Sequence, residues 1–176
     1  MNWFRRLMNY KLFARLFDEW CAHLCSLGID AHLEEEKEFT SIVINGSPID
    51  RIHLYIPLSG DEMGTVQYII PDIRGIPSID IRSVILKKKP IFGAPVDVQW
   101  GGNDSNSGIK QLLAEDERIR GSIMINGIDI EIKTHPKRES WLINQKSWLS
   151  GPRFVTYGQW RCFELIAQRL LLAPIL

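Results

Sequence analysis

Between residues 3 and 27 the apolar positions recur with helical spacing. Leu7, Tyr10, Phe13, Ala14, Leu16, Phe17, Trp20, Cys21, Leu24, Cys25 and Leu27 fall on one half of a wheel, with Lys11, Arg15, Asp18, Glu19, His23 and Ser26 on the other. This predicts an amphipathic helix that stops at Gly28, where a left-handed residue carries no side-chain penalty. An acidic stretch, Glu34, Glu35, Glu36 and Glu38, leads into the first predicted strand. Period-two or continuous apolar runs then predict strands over residues 40–44, 49–56, 65–70, 78–86, 95–100 and 140–144. Asn45-Gly46 between the first two marks a hairpin, lengthened by Ser47-Pro48. Residues 101–108 contain only turn formers, and a short helix is expected over 109–117. Thr156 and Gln159 have capping-box spacing ahead of a final helix that Pro174 ends.

The segment Ser41-Ile-Val-Ile-Asn-Gly46 is echoed by Ser122-Ile-Met-Ile-Asn-Gly127. The echo predicts two similar hairpins, at residues 41–57 and 122–136, arising from an old duplication or from the shared chemistry of Asn-Gly turns. The order of elements lacks the βαβ rhythm. The expected architecture is a single α+β domain over residues 1–176: a mainly antiparallel sheet of 7–8 strands with long N- and C-terminal helices packed on it.

Composition supports a packed core, with 45% apolar and 24% charged residues. Net charge is zero, which argues against long duplex nucleic acid as a partner. The neutrality is a cancellation: residues 1–17 carry +4, 18–38 carry −6, 39–132 carry −3 and 133–176 carry +5. Three cysteines, Cys21, Cys25 and Cys162, are an odd number, which suits a reducing compartment and a cytoplasmic location. The basic, acid-free start of the chain is similar to a transit peptide or an interfacial anchor. Asp18 and Glu19 on the polar face favour internal or subunit packing over contact with a membrane surface. Arg6 and Asn9 interrupt the apolar side, so the first turns are expected to protrude and offer Trp3, Phe4 and Met8 to a partner.

Two constellations suggest chemistry. Asp129-Ile-Glu131-Ile-Lys133 contains an acidic-x-Lys tripeptide on a strand, which resembles the core of the PD-(D/E)xK nucleases. The resemblance implies that Glu131 helps hold a divalent metal and Lys133 positions the attacking water, with Asp97 as the best second acid and Asp104 next. The same pattern is also what any strand with Ile128, Ile130 and Ile132 facing a core presents to water. The second constellation spans residues 136–154, where Lys137, Arg138, Lys146 and Arg153 interleave with Trp141, Trp148 and Phe154, a combination suited to stacked bases, an anionic ligand or an acidic partner, and equally to tryptophans packed in the core or at its rim beside a solvated basic face. Lys87, Lys88 and Lys89 extend it if they lie nearby. Cys21 and Cys25 read as inert residues of an apolar face, and His32, His53 and His135 are scattered, so neither a metal nor a cofactor is expected. The reading that follows is a non-catalytic binding or protein-interaction module with a protein partner or self-association. The alternative is a metal-dependent phosphodiesterase built on Glu131 and Lys133.

Overall fold

In the computed structural model, residues 3–35, 40–55, 64–87, 93–105, 107–135, 137, 139–147 and 154–174 are described, excepting the side chains of residues 3–13, 146 and 147. Local signals set the helix ends. Helix α1 (Trp3–Ser26) closes with Gly28 at φ 80, where Ile29 N–H bonds the Leu24 carbonyl at 3.1 Å and Gly28 N–H bonds that of Cys25 at 3.0 Å. The described residues form eight strands: β1 (Ala31–Glu35), β2 (Thr40–Ile44), β3 (Arg51–Tyr55), β4 (Gly64–Pro71), β5 (Asp80–Lys87), β6 (Pro95–Asn103), β7 (Glu131–Thr134) and β8 (Ser140–Ser147). Helices α2 (Ile109–Glu115) and α3 (Glu117–Asn126) separate β6 from β7, and α4 (Tyr157–Leu171) follows β8. At the start of α4, Thr156 and Gln159 make the expected capping box.

The strands form one antiparallel sheet in the order β1-β2-β3-β4-β8-β7-β5-β6. A four-strand meander is laid down first and the β5–β6 pair takes the far edge. Strands β7 and β8 then fill the gap, so that the four residues of β7 join the two halves. Register places Ile42, Ile52, Tyr68, Ile143, Ile132 and Ile81 in one row across six strands, every member fully buried. The row continues to Gly102 on β6. Helices cover this face: Trp160 and Phe163 of α4 place their rings 6.3 and 4.4 Å from that of Tyr68, while Phe17, Trp20 and Leu24 of α1 join the same core.

Several expectations are corrected. The helical layer is not the pair of long terminal helices expected, because α2 and α3 belong to it as well. Among the described side chains of α1, only Phe17, Trp20 and Leu24 are buried; Ala14 and Cys25 are exposed and Cys21 is half-buried, since the helix packs mainly against the outer strands β1 and β2 and the Phe154–Val155 segment. The protrusion of Trp3, Phe4 and Met8 concerns side chains outside the described set.

The hairpin at residues 41–57 is formed in its described part, with Val43 opposite Arg51 and Gly46 at φ 71. Its echo at 122–136 is not a hairpin. Residues 122–126 are the last turns of α3, which starts where the Asp116 carboxylate accepts from Arg118 N–H at 3.1 Å and Ile119 N–H at 3.3 Å. Ile119 and Ile123, one turn apart, reach the core, and Gly127 at φ 59 caps the end by donating to the Ile123 carbonyl. A glycine with positive φ serves a hairpin turn and a helix stop equally well. Finally, β1 was not anticipated among its acids: Ala31 and Leu33 take the core side of its alternation, and Glu34 pairs with Arg51 on the other side.

Candidate functional site

Shifting one residue out of step from the buried isoleucine row turns every side chain to the opposite face of the sheet. There the paired positions are His53, Gln67, Asn144, Glu131 and Arg82, on β3, β4, β8, β7 and β5. The described helices join the core on the other face, and here Asn144 is buried while Arg82 is exposed; the polar groups of the row form a chain. Tyr55 Oη donates to Gln67 Oε1 at 3.3 Å, Gln67 Nε2 to Asn144 Oδ1 at 2.9 Å, and Asn144 Nδ2 to Glu131 Oε2 at 3.2 Å. The other carboxylate oxygen, Oε1, accepts from Arg82 Nη2 at 3.0 Å and lies 3.2 Å from Lys133 Nζ. Lys133 also reaches Asp80 Oδ2 at 3.5 Å.

Glu131 is the centre of this array. Its side chain is 17% exposed, whereas Arg82, Lys133 and Asp80 are 56%, 38% and 62% exposed. Burial alone raises the pKa of the Glu131 carboxyl, but the bonds from Arg82, Lys133 and Asn144 outweigh it and leave the pKa below the ordinary carboxylate value. As arranged, the carboxylate anchors two cations and an amide, and it has few lone-pair directions left for a metal ion.

The sequence-predicted residues are dispersed. Glu131 and Lys133 face away from the core as expected, with Ile128, Ile130 and Ile132 buried behind them. Asp97 does not join them. It lies opposite Leu86 whereas Glu131 lies opposite Arg82, a separation of two strands across and four residues along, roughly 16 Å from standard sheet spacings. Its carboxylate accepts from the Val98 N–H at 2.8 Å and sits 3.9 Å from Arg120. The acid beside Glu131 and Lys133 is Asp80.

Trp141, a candidate for a ligand surface or for core packing, is fully buried, and its indole N–H donates to Asp72 Oδ2 at 2.8 Å. Asp72 also binds the Arg74 guanidinium through both oxygens, at 2.8 and 2.6 Å, and Arg74 bonds the Leu170 and Ala173 carbonyls at the end of α4. This cluster locks a turn to a helix end. Lys137 is exposed, while Trp148, Arg138 and Arg153, and with them Lys88 and Lys89, lie outside the described residues.

Asp80, Arg82, Gln67 and Asn144 were not singled out from the sequence. Alternation marks Asp80 and Arg82 as outward-facing, but only the pairing of β5 with β7, about fifty residues later, brings them to Glu131. Among the described residues there is no group of three or more His, Cys, Asp or Glu side chains able to hold a metal ion, and no helix is long and apolar enough to cross a membrane. No known family profile matches the chain, and neither does any curated protein or solved structure.

Proposed function

We propose that the protein is a non-catalytic binding module whose recognition surface is the open face of the sheet, taking an anionic group of a protein partner across Arg82 and Lys133. The observation that carries the reading is that these two well-exposed cations are held together by one half-buried carboxylate, which is itself braced by Asn144 and Gln67. Cations fixed in advance lose little side-chain freedom when an anion arrives. Only one Arg82 nitrogen is engaged among the described residues, so the guanidinium keeps outward donors for a carboxylate or phosphate oxygen. The basic segment around Lys137 is the competing surface.

Calorimetric titration with a short oligo-glutamate peptide separates the two. Arg82→Gln with Lys133→Gln preserves hydrogen bonding to Glu131 and is expected to weaken binding about tenfold or more, equivalent to about 1.4 kcal/mol. Lys137→Glu should leave binding unchanged. Loss in K137E alone would move the site to the C-terminal segment, and no binding by the unaltered protein would remove the reading.

A second reading, metal-dependent phosphodiester hydrolysis, is favoured by one observation: Asp80 joins Glu131 and Lys133 in a combination that resembles the acid, acid and lysine set of the PD-(D/E)xK nucleases. It requires Glu131 to give up its present donors to a divalent cation. Its signature is Mg²⁺- or Mn²⁺-dependent cleavage of bis(p-nitrophenyl) phosphate that D80N or E131Q abolishes and Asp97→Asn spares. Absence of turnover by the unaltered protein would retire it.

A further inference from the structure

At the end of α1, two thiols converge on one backbone atom. Cys21 and Cys25 are one helical turn apart, and both donate to the Ala31 carbonyl at the start of β1, at 3.4 and 3.3 Å. Cys25 is exposed and Cys21 half-buried, so neither is buried on the apolar face and the pair is open to solvent.

We propose that Cys21 and Cys25 form a two-coordinate site for a soft monovalent cation of the copper(I) type. Thiolate sulfur is the donor that selects such an ion. The chemistry balances without electron transfer: two S–H bonds break, two sulfur–metal bonds form and two protons leave to solvent. Geometry favours a bridged ion over a disulfide. Cβ atoms four residues apart on a helix are about 5–6 Å apart, beyond the roughly 3.5–4.5 Å that a disulfide requires. Two metal–sulfur bonds of roughly 2.3 Å each set the sulfurs up to about 4.6 Å apart, against roughly 2 Å in a disulfide, so a bridged ion suits side chains one helical turn apart.

The surroundings also narrow the ion. With no third His, Cys, Asp or Glu ligand grouped there among the described residues, a four-coordinate zinc ion lacks its ligand set. Bare thiolates are disfavoured at the negative end of the helix dipole. The field that opposes two free thiolates favours a cation between them.

The test uses the full chain under anaerobic conditions, with copper(I) supplied as its bicinchoninate complex. One copper per chain should be withdrawn from the chelator, and Cys21→Ser and Cys25→Ser should each weaken retention about tenfold or more, on the scale of lost ligand support. Circular dichroism verifies that each variant keeps its helices. Iodoacetamide labelling of the unaltered protein gives a readout independent of any variant: copper should protect Cys21 and Cys25 together. No copper withdrawn, retention by both variants equal to that of the unaltered protein, or unprotected thiols would each overturn the proposal.

Discussion

Replacing Asp72 with alanine should destabilise the protein by about 3 kcal/mol, seen as a fall in thermal midpoint of about 10 °C for a chain of this size. The side chain is 2% exposed and accepts four bonds: two from the Arg74 guanidinium, one from the Arg74 backbone N–H and one from the Trp141 indole. Removing it leaves the Trp141 N–H buried without an acceptor, a loss of about 1–3 kcal/mol by itself. It also frees Arg74 from the carboxylate that aims it at the Leu170 and Ala173 carbonyls, so the end of α4 loses its tie to the turn after β4. Arg74 is 37% exposed and water compensates part of its charge, which keeps the cost toward the lower end of the range for broken buried pairs. Urea unfolding of D72A and of the unaltered protein checks the magnitude.

The same carboxylate makes stability depend on acid. Burial pushes the Asp72 pKa up, but the bonds from Arg74 and Trp141 outweigh it, and the folded-state value lies below the ordinary one. A depressed folded pKa adds stability that is fully present above the unfolded-state value, near 4, and is lost as pH falls through the folded value. Glu131 and Asp116 are lowered in the same direction. Asp72→Asn keeps the shape and one acceptor but does not titrate, so its stability between about pH 5 and pH 2 should fall less steeply than that of the unaltered protein. Parallel slopes for the two proteins would show that Asp72 is not linked to acid unfolding.

Elements whose local pattern agrees with their final surroundings are legible in the sequence. The alternating strands, the Asn45-Gly46 hairpin and the Thr156 capping box are each decided within a few residues. The two near-identical hexapeptides show where a local pattern stops deciding. Ser41 to Gly46 and Ser122 to Gly127 differ in what precedes them: the second follows Asp116, an N-cap, and Ile119, which shares a helical face with Ile123. The period of that longer window is helical, and the six matched residues concealed it.

The candidate site was half legible for a different reason. The outward faces of Glu131 and Lys133 follow from alternation, yet their partners depend on which strands become neighbours. The topology inserts β7 and β8 between β4 and β5, a choice set by burying the isoleucine row and not by any motif near residue 131. Trp141 stays open to two readings in the sequence because an indole beside basic residues looks the same whether its N–H meets a ligand or a buried Asp72. Part of the polarised charge of the chain is paired within the monomer: Glu34 with Arg51, Glu164 with Arg161, and Arg169 at 3.9 Å from Asp116.

Two adjacent glycines in β6 should respond in opposite ways to the same methyl group. A Cβ on Gly102 would lie 2.3 Å from the Asp80 carbonyl oxygen and 3.0 Å from the Ile81 Cα, both backbone atoms that cannot swing aside, and Gly102 already has φ +98. Backbone strain of this kind costs about 1–3 kcal/mol, and forced overpacking about the same again. Gly102→Ala should therefore cost about 3 kcal/mol or more, or else pull β6 away from β5. Gly101 has nothing within 4 Å of its Cβ position and an ordinary φ, so Gly101→Ala should be neutral or stabilise by up to about 1 kcal/mol through reduced freedom of the unfolded chain. Gly102 stands opposite Ile81 at the end of the buried row, and the oxygen it would strike belongs to Asp80, the residue that reaches Lys133 on the other face. The damage in G102A should thus appear in amide spectra at residues 80–82 and 131–133, across the junction that β7 makes between the halves of the sheet. Equal stability of the two variants would mean that β6 can slide past β5 without loss, and the register that assembles the open-face array would then be far softer than its continuous pairing implies.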